Sequence, residues 1–106
     1  MGFFDFFKGI DINGGVEEFR GIKGAILLDV RTPQEYREGH IPESRNVPLQ
    51  EIDKVDKVVQ NKDVPVYVYC RSGARSRQAS DALLKMGYRQ VKDLGGIISY
   101  KGKVVR

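Results

Sequence analysis

The chain has 106 residues, a net charge of +4 and a single cysteine. This length supports one small domain with one hydrophobic core. One cysteine excludes an internal disulfide and a cysteine-rich zinc site. Acidic and basic residues are interleaved, which argues against a nucleic-acid-binding stripe, while the positive excess favours small anionic substrates or partners.

Residues 1–9 form a segment rich in phenylalanine, and we expect it to lie outside the domain, which we place at residues 10–106. The segment either covers one edge of the core or serves as a dimer contact or a peripheral membrane foothold. Its phenylalanines are Phe3, Phe4, Phe6 and Phe7. No run approaches the ~20 apolar residues that span a bilayer, and the start lacks signal-peptide features, so we expect a cytoplasmic protein whose thiol is reduced.

The first half of the chain predicts a strand, a helix and a second strand. Residues 10–12 are typical of a short edge strand. Val16, Phe19 and Ile22 recur at helical spacing, which predicts a short helix. Residues 25–30 are apolar up to Asp29, as in a strand of a parallel sheet that is covered on both faces.

A helix start is encoded at Thr32. This residue is a good N-cap, Pro33 suits the first turn, and Glu35 completes a capping box. Gly39 is placed to end the helix after little more than one turn. The two X-Pro pairs at 41–42 and 47–48 then indicate a loop and a short extended segment.

The second half alternates helix and strand again. Residues 49–59 carry apolar side chains at a helical period, and residues 64–69 form an apolar strand. A second amphipathic helix runs from Ser76 to Gly87, and residues 90–94 form a last short strand before a turn at Gly95-Gly96. This alternation predicts an α/β domain with a central, mainly parallel sheet and helices on both faces.

Cys70 follows the predicted strand 64–69 and opens a short basic loop. In open α/β sheets, ligands bind beyond the carboxyl ends of the strands. The start of the following helix, together with Arg71 and Arg75, is expected to stabilise a thiolate at this position. The alternative is a buried structural cysteine, because free cysteines are among the most buried residues.

Three stretches of the chain together resemble the single-domain rhodanese (thiosulfate sulfurtransferase-like) family, and the likeness runs from about Ile10 to Tyr100. They are residues 29–49, with Asp29-Val30-Arg31 and Gly39-His40-Ile41-Pro42, then residues 69–76 around Cys70, then residues 94–97. The resemblance implies a rhodanese-like three-layer sandwich. It also implies that no metal or organic cofactor is needed.

For the site, the resemblance implies that Cys70 is the catalytic nucleophile. The cysteine would take a sulfane sulfur from a small anionic donor such as thiosulfate and pass it to a thiol or to cyanide. The matching substrate-binding residues are Arg71, Ser72, Gly73, Ala74 and Arg75. Sulfite leaving the donor is an anion that arginines and loop amides can hold.

Two other functions share this architecture. Cysteine phosphatases and arsenate reductases have Cys-x₅-Arg loops, whereas Cys70 and Arg75 enclose four residues. One residue fewer removes an amide donor and about 3.5 Å of chain, so a tetrahedral phosphate is expected to fit poorly. A non-catalytic interaction module is the second alternative.

Further polar residues are expected to be structural. His40 is placed as a hydrogen-bonded scaffold residue, since nothing in the sequence supplies an orienting partner for a Cys–His dyad. Arg31 and Glu35 are expected to pair with each other near the strand end. Ser72 and Ser76 are expected to form hydrogen bonds within the loop and at the helix cap.

Overall fold

The computed structural model of the protein describes residues 11–106. The phenylalanine-rich segment and Ile10 lie outside the described residues, so the predictions for them stay predictions. No helix within residues 11–106 is long and apolar enough to cross a bilayer.

The first described element is helix α1 (Ile12–Arg20), not the strand predicted for residues 10–12. Asp11 is its N-cap, because its Oδ1 accepts the backbone N–H groups of Asn13 at 2.7 Å and Gly14 at 3.0 Å. The acidic residue that was predicted to lie in a strand, Asp11, therefore caps the N-terminus of α1. Ile22 lies beyond the helix and is 37% exposed, so it does not extend the buried face.

Strand β1 (Ile26–Asp29) and helix α2 (Pro33–Glu38) follow as predicted. The capping box of α2 is complete: the N–H of Glu35 donates to Thr32 Oγ1 at 3.1 Å, and the N–H of Thr32 donates to Glu35 Oε1 at 3.0 Å. The helix ends at Gly39. A two-residue strand, β2 (Arg45–Asn46), lies in the loop that contains the X-Pro pairs.

The predicted helix at 49–59 is a 3₁₀ helix, Leu49–Lys57, that breaks at Glu51. Its N-cap is Pro48, which supplies no side-chain hydrogen bond to the free N–H groups of the first turn. The apolar period is kept, and Val55 is fully buried. Strand β3 (Pro65–Cys70) and helix α3 (Ala74–Lys85) follow, with Gly87 in a left-handed conformation just after the helix.

The last strand, β4 (Gln90–Gly96), is two residues longer than predicted. Its pairing with β3 shifts register at Leu94, where Asp93 pairs with Val68 but Gly95 pairs with Tyr69. Gly95 has a φ of 82°, and its N–H donates to the Asp93 carboxylate at 2.9 Å. This bulge keeps Gly95-Gly96 in the strand instead of in a turn. A short 3₁₀ helix, Ile97–Ser99, comes next.

The four strands form one parallel sheet in the order β2-β1-β3-β4. Successive side chains of β3 face opposite sides, so Tyr67 and Tyr69 pack with α1, whereas Val66, Val68 and Cys70 pack with α3 and the 3₁₀ helix Leu49–Lys57. Helices therefore cover both faces, which confirms the predicted α/β fold. Because all strands are parallel, Asp29 and Cys70 lie at the same carboxyl edge.

Candidate active site

Cys70 ends β3 at the base of its loop and is 1% exposed. Its Sγ accepts the backbone N–H of Gly73 at 3.0 Å. Gly73 is the N-cap of α3 and has a φ of 113°, a left-handed conformation that glycine adopts without strain. The loop therefore curls back over its own sulfur. The first-turn N–H groups of α3 follow directly and have no intrahelical acceptors.

The loop rests on the glycine pair at the end of β4. A Cβ on Gly96 would stand 2.1 Å from the carbonyl oxygen of Arg71 and 2.6 Å from Cα of Ser72. The N–H of Ile98 donates to the same Arg71 carbonyl at 3.2 Å. Gly96 was predicted to lie in a turn and belongs to one of the three stretches that carry the family resemblance, but this supporting contact with the loop was not predicted.

Ser76 ties the loop to its helix. Its side chain is buried, and Oγ donates to the carbonyl oxygen of Gly73 at 3.0 Å. The prediction that Ser76 forms a local hydrogen bond is confirmed. The side chain is not the helix cap, since the N-cap Gly73 has no side chain to offer.

Arg75 is held by Glu35 across the edge of the sheet. Nη1 and Nη2 of Arg75 donate to Oε1 and Oε2 of Glu35 at 2.6 and 3.0 Å. This two-bond pair, helped by the N–H and hydroxyl of Thr32, lowers the pKa of Glu35 to about 2, although partial burial opposes the shift. The charge of Arg75 is therefore balanced within the protein. Arg71 differs from Arg75, because it is exposed and forms no ion pair within residues 11–106.

The predicted pair between Arg31 and Glu35 is wrong. Arg31 pairs instead with Asp29: its Nε lies 3.0 Å from each carboxylate oxygen, and Nη2 lies 2.6 Å from Oδ2. The Nη2 group also donates to the carbonyl oxygen of Gly39 at 2.7 Å. Asp29 is fully buried, so a cation two residues away satisfies a charge that would otherwise be costly, while Glu35 turns towards Arg75.

A small cleft of about 200 Å³ opens beside the cysteine loop. Cys70 does not line it, but the next residue does. Its charged lining residues are Arg31, Glu35, Glu38 and Arg71, and its apolar wall is formed by Ile97 and Ile98. The cleft therefore joins the loop to the end of α2.

His40 takes a structural position. Its Nδ1 lies 2.8 Å from the carbonyl oxygen of Tyr36, and its ring stacks on the Tyr36 ring with centroids 3.7 Å apart. The backbone of His40 also pairs with Val105. These contacts support the expected scaffold role, and no hydrogen bond joins His40 to Cys70 in the described structure. Within residues 11–106, no group of three or more His, Cys, Asp or Glu residues is placed to hold a metal ion.

A parallel α/β sheet that carries a cysteine loop at its carboxyl edge, closed by the first turn of a helix, defines a class of small cysteine-loop domains. The model of the Rhodanese-like domain family matches residues 11–103, and the chain belongs to this family.

Three relatives illustrate the family. The chain is 38% identical over 71 residues to thiosulfate sulfurtransferase PspE of Escherichia coli K12. This match covers 66% of the chain and 68% of PspE. It is 37% identical over 93 residues to a sulfurtransferase of Allochromatium vinosum, covering 86% of this chain and 85% of that protein. Among solved structures, a rhodanese with anions from E. coli matches at a TM-score of 0.73 and 33% identity, covering 78% of this chain and 99% of that one.

Proposed function

We propose that this protein is a sulfurtransferase in which Cys70 accepts a sulfane sulfur and passes it to a thiophilic acceptor. The observation that carries the proposal is the 3.0 Å hydrogen bond from the N–H of Gly73 to Cys70 Sγ, inside a loop that the first turn of α3 closes. A loop this tight suits one sulfur atom better than a tetrahedral phosphate. Relatives named as sulfurtransferases agree with this function.

The first half-reaction is a displacement at sulfur. The Cys70 thiolate attacks the outer sulfur of thiosulfate, a new S–S bond forms, and the S–S bond of the donor breaks. Its electron pair leaves with sulfite, whose charge the exposed guanidinium of Arg71 can balance. The donor class, thiosulfate or another sulfane-sulfur compound, belongs to the proposal.

The persulfide that results carries its charge on the outer sulfur. The N–H of Gly73 and the free N–H groups at the start of α3 can hold this charge, since helix N-termini bind anions. Ser72 and Ala74 contribute backbone to the same cradle. In the proposal Arg75 is a positioning residue, because Glu35 already binds its guanidinium.

The burial of Cys70 has a chemical consequence. At 1% exposure the sulfur is shielded from water and from bulky reagents. We expect donors whose reacting sulfur is a terminal atom on a narrow molecule to react, and bulky disulfides to react poorly. The chain has no second cysteine, so an external acceptor must remove the sulfur from Cys70.

The test is the mass of the protein after incubation with thiosulfate. We expect the wild-type chain to gain the mass of one sulfur atom and to lose it on addition of cyanide, with release of thiocyanate. Cys70→Ser, whose hydroxyl occupies nearly the same space, should gain nothing. A wild-type chain that gains no sulfur, or hydrolysis of an aryl phosphate that Cys70→Ser abolishes, would contradict the proposal.

A further inference from the structure

The cleft beside the cysteine loop contains one cation and one anion that have no ion-pair partner among the described residues, 11–106. Two of its charges are neutralised inside the protein, since Arg31 pairs with Asp29 and Glu35 pairs with Arg75. The other two, Arg71 and Glu38, are exposed and form no ion pair within residues 11–106. Glu38 accepts one hydrogen bond from its neighbour along the helix, Gln34, at 3.3 Å.

This cleft adjoins both ends of the cysteine loop. Arg71 lines the cleft and is the residue that follows Cys70 in the chain. Glu35 also lines the cleft and binds Arg75 at the far end of the loop. Any molecule in the cleft therefore lies beside the cysteine loop, against Arg71 and against the carboxylate that binds Arg75. The apolar wall includes Ile98, which is 67% exposed.

The size and charges of the cleft restrict what it can bind. Its volume of about 200 Å³ is below the roughly 300–1,000 Å³ of sites that enclose drug-sized ligands. A small molecule with one positive and one negative group can pair with both Glu38 and Arg71. A simple anion would be repelled by Glu38, and a simple cation would be repelled by Arg71. The apolar wall suits a short aliphatic or sulfur-bearing stem.

We infer that this cleft is the acceptor subsite and that it takes a small zwitterionic thiol, with the carboxylate on Arg71 and the ammonium group on Glu38. The inference rests on the proposed function. The acceptor thiolate bonds to the outer sulfur of the persulfide while the bond from that sulfur to Cys70 breaks. The electron pair stays on Cys70 as the thiolate, and the outer sulfur leaves as the persulfide of the small thiol, so no oxidant or reductant is needed.

The experiment starts from protein loaded with thiosulfate, freed of excess donor and checked by mass. Four thiols are compared at equal thiolate concentration: cysteine, cysteamine without the carboxylate, 3-mercaptopropionate without the amine, and 2-mercaptoethanol with neither. Loss of the added sulfur mass is followed with time. We expect cysteine to unload the protein about two- to fivefold faster than either singly charged thiol, as surface charge pairs of this kind allow.

Glu38→Gln tests the assignment of the ammonium group. We expect it to bring the cysteine rate down to the 3-mercaptopropionate rate, whereas discharge by cyanide, which has no ammonium group, should not become slower. Glu51→Gln, another exposed carboxylate that lies outside the cleft, is the matched control and should change neither rate. Circular dichroism of each variant confirms that the fold is intact.

The outcomes distinguish failure of sulfur loading at Cys70 from failure of acceptor binding in the cleft. Protein that never gains the sulfur mass contradicts the proposed function and this inference with it. Protein that loads and is discharged by cyanide, but unloads equally fast to all four thiols or responds equally to Glu38→Gln and Glu51→Gln, overturns the acceptor subsite and leaves the proposed function standing.

Discussion

At the scale of single residues, Glu35 connects two parts of the site. One of its oxygens accepts the N–H of Thr32 and so starts α2, and the same carboxylate grips the guanidinium of Arg75 with two hydrogen bonds. The side chains of Glu35 and Arg75 are 23% and 31% exposed. Partial removal from water makes such a pair stronger than an ion pair in open solvent. The position of the cysteine loop therefore depends on a helix cap 40 residues earlier.

Glu35→Gln should lower the free energy of unfolding in a pH-dependent way. Gln removes the charge but keeps an oxygen that can accept the N–H of Thr32. The pKa of Glu35 is about 2 in the folded protein against an ordinary value of 4.5, so its stabilising effect is complete above pH 4.5 and is lost as the pH falls through about 2. We expect a deficit of about 1–2 kcal/mol at pH 7 that shrinks below pH 4.5.

Urea unfolding at a series of pH values from 7 down to 3 measures this deficit. The matched control is Glu43→Gln, which breaks the more exposed pair between Glu43 and Arg20, with side chains 59% and 39% exposed. Its effect should stay within about 0.5 kcal/mol. A deficit for Glu35→Gln that is the same at every pH would show that charge pairing with Arg75 is not its cause.

At the scale of secondary-structure elements, the end of β4 supports the cysteine loop. The bulge at Leu94 lets Gly95 and Gly96 pair with Tyr69 and Cys70, the residues that lead into the loop. The absence of a side chain at Gly96 allows the loop backbone to lie directly against the strand. The shape of the loop is therefore set partly by a neighbouring strand and partly by its own sequence.

Gly96→Ala should disturb the loop more than the fold. The added methyl group meets the carbonyl oxygen of Arg71 at 2.1 Å, a backbone atom that can move only if the loop moves. We expect a loss of stability of about 1–3 kcal/mol, typical of overpacking, and a loss of sulfur loading at Cys70. Urea unfolding and intact mass after thiosulfate treatment measure the two effects.

Gly21→Ala is the control for this substitution. Gly21 follows α1 with a φ of −84°, and a methyl group there would have its nearest contact at 3.6 Å. Loading should remain normal in that variant. If Gly96→Ala loads sulfur as fast as Gly21→Ala does, the loop does not need the close approach at Gly96.

At the scale of the whole molecule, the order β2-β1-β3-β4 places β1 and β3 at the centre of the sheet. Both strands are buried on both faces, under α1 on one side and under α3 with the 3₁₀ helix Leu49–Lys57 on the other. The loop that follows Cys70 thus begins at the end of β3, one of the two central strands of the sheet. A rigid base of this kind keeps the side chains of the loop in a defined position.

Native-state hydrogen exchange should reveal this ordering. We expect the amides of residues 27–29 in β1 and 66–69 in β3 to exchange most slowly, because they open only when the whole sheet unfolds. Amides in β2, a two-residue edge strand, should exchange much faster. Equal protection in β2 and β3 would contradict the view that the central pair forms the stable unit.

The sequence alone determined the features that depend on near neighbours. The capping box of Thr32 and Glu35 is encoded within four residues and forms as predicted. The strands that become β1 and β3 are continuous apolar runs, and the position of Cys70 at a strand end follows from them. Their alternation with helices was enough to predict the parallel α/β fold, because few topologies bury such strands on both faces.

The tertiary structure alone decided which distant groups meet. The neighbouring sequence does not predict that Glu35 binds Arg75 while Arg31 binds Asp29. It also does not predict that the loop lies against Gly96. These contacts depend on the order of the strands and on the register at the β4 bulge, which bring together residues far apart in the chain. Ionic and steric partners are chosen by distance in space, and only the folded sheet sets those distances.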